Sequence, residues 1–185
     1  MNPIWITEDA VEWLESHTKP EMKVFEYGSG TSTLYFARRV KEVISVECYA
    51  NRYEENTRLL KAKSVNSSFK ITINLVESVE DPKPFPYSHE SYNSTDEKFI
   101  NLSLEGYVNH IKEYKNEFFD IILINGRSRA SCIRTAIPKI KPGGLLILND
   151  SERYEYQNAM ELFLKKYPHQ EFGEDTRKTG IWTID

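Results

Sequence analysis

Cysteine is scarce in this 185-residue chain: only Cys48 and Cys132 are present. Two cysteines are too few for a disulfide scaffold or a cysteine-based zinc site. No apolar run approaches the ~20 residues a membrane span needs. The first residues, Met1 to Trp5, show no basic segment followed by an apolar stretch, so no secretory signal is read there. Asn-X-Ser/Thr triplets at Asn66, Asn93 and Asn101 therefore carry no meaning as glycan sites. Positive charge is also short, with 24 Lys and Arg against 28 Asp and Glu, a net charge of −4. That balance lacks the basic footprint of a nucleic-acid binder and argues against nucleic acid as partner. No repeat or low-complexity tract is found. A cytoplasmic, reducing context is the expectation, and monomer and homodimer are both left open.

What the chain does have is enough apolar and aromatic content for its own core, with 39% hydrophobic residues and 11 Tyr and 9 Phe. Short apolar runs alternate with helical periodicity. Thr7 to Lys19 reads as a helix, with Thr7 as N-cap, Glu8 and Asp9 in the first turn and an Ile6–Val11 staple. Strands are predicted at Lys23 to Tyr27, Val43 to Glu47, Ile71 to Val76, Phe118 to Ile124, Leu145 to Leu148 and Gly180 to Ile184. Helices are predicted at 31–40, 52–63, around 104–111, around 132–137 and around 160–167. Lys141-Pro142-Gly143-Gly144 reads as a turn. This alternation predicts one α/β domain over 1–185, a doubly wound, mostly parallel sheet with helices on both faces. Residues 77–103, with Pro82, Pro84, Pro86, Tyr87, His89 and Tyr92, show no period and read as a loop insertion, a candidate lid.

Ligands of such sheets bind at the carboxyl ends of the strands. The first strand runs into Glu26-Tyr27-Gly28-Ser29-Gly30-Thr31-Ser32-Thr33. A dinucleotide fingerprint wants a third glycine where Thr33 stands, and no phosphate-binding P-loop motif is present. Glu26 sits two residues before the first glycine, and Glu47 lies 19 residues after it. A carboxylate at that second place can accept both ribose hydroxyls. Acids beside the glycine turn suit a ligand that carries positive charge and no phosphate.

Four pieces in order resemble a class I S-adenosylmethionine-dependent methyltransferase: Val24 to Thr31, Val43 to Glu47, Phe119 to Ile124, and Lys141-Pro142-Gly143-Gly144 opening the next strand. The resemblance is best over residues 22–150. It implies a seven-stranded Rossmann-like methyltransferase sheet and S-adenosylmethionine as cofactor. It also implies that Glu26 faces the methionyl ammonium. The turn from Tyr27 and Gly28 through Ser29, Gly30 and Thr31 to Ser32 passes under the methionyl part. Glu47 holds the ribose, Glu77 and Ser78 flank the adenine, and Asn125 stands beside the sulfonium and the substrate. Trp5 is expected near the cofactor, as N-terminal segments often are in methyltransferases of this kind.

Methyl transfer is a displacement at the sulfonium carbon, helped by positioning and by exclusion of water. Asp150 is the candidate base, and Asn149, Asp150 or Ser151 could equally cap the helix that follows. Metal-dependent O-methyltransferases of this fold carry an acid where this chain has Asn125, so metal independence is expected. Arg127, Arg129 and Arg153 point to a small polar or acidic substrate, because guanidinium forks suit carboxylate and phosphate. The expected reaction is methyl transfer to an oxygen or nitrogen of such a molecule. The alternatives are a non-catalytic S-adenosylmethionine-binding module and a nicotinamide-dependent oxidoreductase. The missing third glycine and the lack of a Tyr-x-x-x-Lys pair count against the last.

Overall fold

A computed structural model describes residues 5–63, 70–81 and 87–185. Pro82, Pro84 and Pro86, residues 1–4 and Asn66 lie outside the described residues.

Apolar runs rich in Val, Ile, Leu and Phe form strands buried on both faces, as parallel strands must be. In chain order the elements are α1 (Glu8–His17), β1 (Lys23–Tyr27), α2 (Thr31–Ala37), β2 (Glu42–Glu47), α3 (Ala50–Lys63), β3 (Lys70–Leu75), β4 (Val79–Glu80), β5 (Leu102–Ser103), α4 (Glu105–Asn109), β6 (Phe119–Ile124), α5 (Arg129–Ala136), β7 (Ile140–Asn149), α6 (Tyr154–Phe163), β8 (His169–Glu174) and β9 (Arg177–Ile184). Seven strands form one sheet in the order β3-β2-β1-β6-β7-β9-β8, and β4 and β5 form a separate pair. Within the seven-stranded sheet, β3, β2, β1, β6 and β7 run parallel. β9 runs antiparallel to both of its neighbours. This is the seven-stranded, mostly parallel sheet expected.

Alternation along the strands divides the core into two layers. Val24, Val43, Ile121, Leu123 and Ile147 pack with α1 and α2 on one face. Phe25, Tyr27, Ile122, Ile124 and Leu146 pack with α4, α5 and α6 on the other. The staple pair is seated as expected, with Ile6 buried and Val11 packed against the same layer. Thr7 makes no side-chain cap bond, and the helix start is tied down instead by the Thr7 amide donating to Thr179 Oγ1 at 3.1 Å.

One local expectation is corrected and one strand is added. Lys141 to Gly144 lies within β7, where the register to β6 jumps from Phe119↔Ile140 to Ile121↔Leu145. The glycines absorb an irregularity of the strand, with Gly143 at φ +77°. β8 is a strand that the apolar pattern does not announce, because this sheet edge is polar and only Phe172 on it is even half-buried. Within the insertion, β4 and β5 pair antiparallel, and Phe99 is buried among core residues. Tyr87, Tyr92 and Leu102 pack against that same core. No helix among the described residues is long and apolar enough to cross a membrane.

Candidate functional site

The loops at the carboxyl edge of the sheet enclose a cleft of about 390 Å³, within the range of small-molecule sites. Gly28, Ser29, Gly30 and Ser32 form its floor after β1, and Glu47, Cys48, Tyr49 and Arg52 form the wall after β2. Asn125 to Arg127 and Arg129 follow β6, and Asn149, Asp150 and Arg153 follow β7. Because β9 is antiparallel, its first residue Arg177 arrives at this same edge. Arg177 donates to the carbonyl of Trp5 at 2.9 Å, and both line the cleft.

The floor depends on two glycines. Gly28 has φ +88°, and a Cβ there would come 2.7 Å from the Cα of Gly126. A Cβ on Gly126 would lie 1.9 Å from the Tyr107 hydroxyl oxygen. Only glycine lets the β1 and β6 loops touch this closely. Gly30, by contrast, has open space where a Cβ would point.

Glu47 is 2% exposed and accepts four hydrogen bonds from the protein. One oxygen accepts the amides of Cys48 (2.8 Å) and Tyr49 (3.1 Å). The other accepts the amide and hydroxyl of Ser29, both at 3.1 Å. The carboxylate is thereby held at the cleft wall against the glycine turn. Beside it, burial pushes the Cys48 thiol up to about 12, helped by the Glu47 charge. Cys48 is therefore a neutral thiol, unsuited to nucleophilic attack.

Glu26 is placed differently from expectation. It is wholly buried and does not line the cleft. It accepts the hydroxyls of Ser32 and Thr33, and that of Ser45 at 2.6 Å. Burial pushes its carboxyl from 4.5 to about 7, against the lowering effect of those hydroxyls. Tyr27 and Thr31 also lie off the cleft. The Tyr27 ring is in the core, where its hydroxyl donates to the Val108 carbonyl at 2.8 Å. Glu77 is exposed and Ser78 half-buried, and neither reaches the cleft lining, because the chain leaves β3 for the β4–β5 pair.

At the β6 and β7 ends, one amide joins the two asparagines: Asn149 Nδ2 donates to Asn125 Oδ1 at 3.0 Å and to Asp150 Oδ1 at 3.1 Å. Asn149 is 3% exposed, and its own Oδ1 is buried with no partner among the described residues. Asp150 Oδ2 meets Arg129 at 2.9 Å and Arg153 at 3.3 Å. Both oxygens of Asp150 are thus engaged, which fits a group that orients two arginines rather than a free base. Asp150 also has φ +53° and makes no side-chain helix cap. Among the described residues, no three His, Cys, Asp or Glu converge as a metal cluster.

A second cleft of about 240 Å³ opens beside the first. It shares Gly126, Arg127, Arg129 and Arg153 with its neighbour. Its remaining wall is Ser128 and Tyr156, with Tyr87 and Ser94 to Asp96 contributed by the insertion. A three-way contact stands between the clefts. Arg127 Nε donates to the Tyr49 hydroxyl at 3.1 Å, that hydroxyl donates to Asp96 at 2.9 Å, and the Arg127 guanidinium meets the same Asp96 oxygen at 2.8 Å. Sequence reasoning missed Tyr49, Arg52, Asp96, Gly126 and Arg177. Tyr49 and Arg52 were within reach of it, since they directly follow the Glu47 strand end.

No protein-family model matches the chain, and no curated protein matches it. Solved structures do. An rRNA methylase from Streptococcus thermophilus superposes with TM-score 0.66 at 12% identity, over 100% of this chain and 98% of that one. A methyltransferase-like protein from Silicibacter pomeroyi gives 0.65 at 20% identity, over 98% and 89%. A T. thermophilus 16S rRNA methyltransferase in complex with AdoMet and guanosine gives 0.62 at 16%, over 95% of this chain and 42% of that chain. With the strand order above, these likenesses establish that the chain has the Rossmann-like methyltransferase fold.

Proposed function

We propose that the chain is an S-adenosylmethionine-dependent methyltransferase acting on an oxygen or nitrogen of a small polar or acidic molecule. The observation that carries the reading is Glu47, a buried carboxylate fixed by four hydrogen bonds against a glycine turn. A carboxylate there repels a pyrophosphate and suits ribose hydroxyls. The donor set fits the cofactor in three further respects. The cleft is large enough, space is open over Gly30, and the buried Asn149 Oδ1 is without a partner among the described residues. When bound, S-adenosylmethionine supplies a methyl group on a sulfonium. The Gly28–Gly30 backbone would carry the methionyl part, Glu47 the ribose, and Asn125 and Asn149 the side toward the acceptor.

Glu26 supports the turn from beneath by holding the first residues of α2. Arg129 and Arg153, oriented by Asp150, and Arg127 face the acceptor side. Metal independence fits the amides of Asn125 and Asn149, since a divalent ion prefers anionic oxygens. The small second cleft and the net charge of −4 favour a small acceptor over RNA, although three of the structural neighbours are named for rRNA.

Isothermal titration with S-adenosylhomocysteine and with NAD⁺ tests the cofactor. Saturable binding of the first and none of the second is expected. Binding of NAD⁺ alone would overturn the reading.

A further inference from the structure

The second cleft has features that the cofactor reading does not use. Ser128, at the entry to α5, is 3% exposed and has φ +50°. It makes no side-chain cap, and its Oγ is buried with no partner among the described residues. A buried hydroxyl without a partner costs free energy unless something supplies one. Ser128 lines the second cleft and not the first.

The three arginines of that cleft are not equivalent. Arg129 is buried and tied to the carbonyls of Gly126 and Asn149 as well as to Asp150. Arg127 is tied to Tyr49 and Asp96. Arg153 is half exposed and has only long contacts, 3.3 Å to Asp150 and 3.9 Å to Glu155. Its guanidinium is the least tightly held of the three and the most exposed, at 49%, so it can turn onto a ligand at the smallest cost. Across the two clefts, five arginines (the three above with Arg52 and Arg177) line the walls against three carboxylates, Glu47, Asp96 and Asp150. This local surplus sits on a chain whose net charge is −4. A concave site with such a surplus draws in anions. The rings of Tyr87 and Tyr156, 6.5 Å apart and inclined at 53°, supply an aromatic wall.

We infer that the second cleft is an acceptor subsite for a small molecule with a carboxylate or phosphate on an aromatic body. The anion is held by the Arg153 guanidinium and the Ser128 hydroxyl, and the body lies against Tyr87 and Tyr156. This inference rests on the methyltransferase reading for its use but not for its chemistry, so the two can fail separately.

The test is calorimetric titration of the whole protein, with and without S-adenosylhomocysteine, using phenyl phosphate, benzoate and the neutral benzyl alcohol as probes. At least one anion is expected to bind saturably, and benzyl alcohol at least tenfold more weakly. Ser128→Ala should weaken the anion about tenfold, the loss of one charge-assisted hydrogen bond. It should leave the S-adenosylhomocysteine affinity within twofold, a readout that a merely damaged fold would not preserve. Arg153→Gln should weaken the anion further. Equal binding of benzyl alcohol, no anion binding, or anion binding indifferent to Ser128→Ala would overturn the inference. Binding of a single-stranded RNA oligomer that is lost in Thr95→Glu, with no binding of the small anions, would overturn it in favour of a nucleic-acid acceptor. Failure of S-adenosylhomocysteine to bind while the anion results hold would remove the cofactor reading and leave the anion site standing.

Discussion

Glu26 and Glu47 are buried carboxylates on neighbouring parallel strands, and by strand alternation both face the α1–α2 side of the sheet. The register pairs Glu26 with Ser45, so Glu47 lies two residues, roughly 7 Å, nearer the carboxyl edge. That one step separates two environments. Glu26 falls beneath the first turn of α2 and meets three hydroxyls. Glu47 clears the helix and meets three backbone amides and one hydroxyl at the cleft wall. Burial of Glu26 outweighs its hydroxyls and favours the neutral acid. The same residue type on the same face thus becomes a support in one place and a ligand contact in the other.

The contrast can be broken most sharply at Glu47. Glu47→Ala is expected to weaken S-adenosylmethionine binding about a hundredfold, roughly 3 kcal/mol, the loss of a charge-assisted contact to ribose that the carboxylate shares with its four protein donors. Titration calorimetry on folded variant protein measures it. Retained affinity would mean that Glu47 only organises its loop.

Glu26→Gln should act on stability and its pH dependence instead. The carboxyl titrates at 4.5 ordinarily and at about 7 in the fold, so the native state holds an extra proton between these values. The stabilisation it brings is fully present below pH 4.5 and is lost as pH rises through 7. Its upper bound is about 3 kcal/mol. Denaturant melts at pH 4.5, 6 and 8 should show this fall in the parent protein and a flatter curve in Glu26→Gln. Cofactor affinity should move less than threefold, and a large loss would return Glu26 to the binding site.

The smallest effect is expected at Asp96, where the insertion meets the walls of both clefts. Asp96→Asn keeps the shape but removes the charge opposite Arg127. The pair is about a quarter exposed on each side, so about 1 kcal/mol of stability is expected. Melting temperature gives that figure, and faster proteolysis within the insertion than in the parent locates it.

The strands were legible because a parallel sheet buried on both faces demands unbroken apolar runs, and Phe119-Asp120-Ile121-Ile122-Leu123-Ile124 is such a run. β8 was not, because an edge strand needs no apolar alternation and its residues are mostly exposed. The helix ends were off by a few residues where 3₁₀ turns continue the chain, as at His110–Glu113. In the cleft, Glu47 could be placed by its distance from the glycine turn. The depth of Glu26 could not, since it depends on strand register. A clue was present nonetheless: Thr33 stands where a third glycine would be, and its hydroxyl is one that Glu26 accepts. Asp96 was hidden for a different reason. It comes from an aperiodic segment, and only the tertiary path brings it to Arg127.

The contact of Arg127 with Tyr49 and Asp96 has a thermodynamic consequence. Tyr49 belongs to the first cleft, Asp96 to the second, and Arg127 to both. A ligand that draws the guanidinium toward one cleft alters the wall of the other. Linkage then requires reciprocity: whatever factor the first ligand imposes on the affinity of the second, the second imposes on the first. Ligands that both engage Arg127 would therefore share a single coupled equilibrium, with that side chain as its common coordinate.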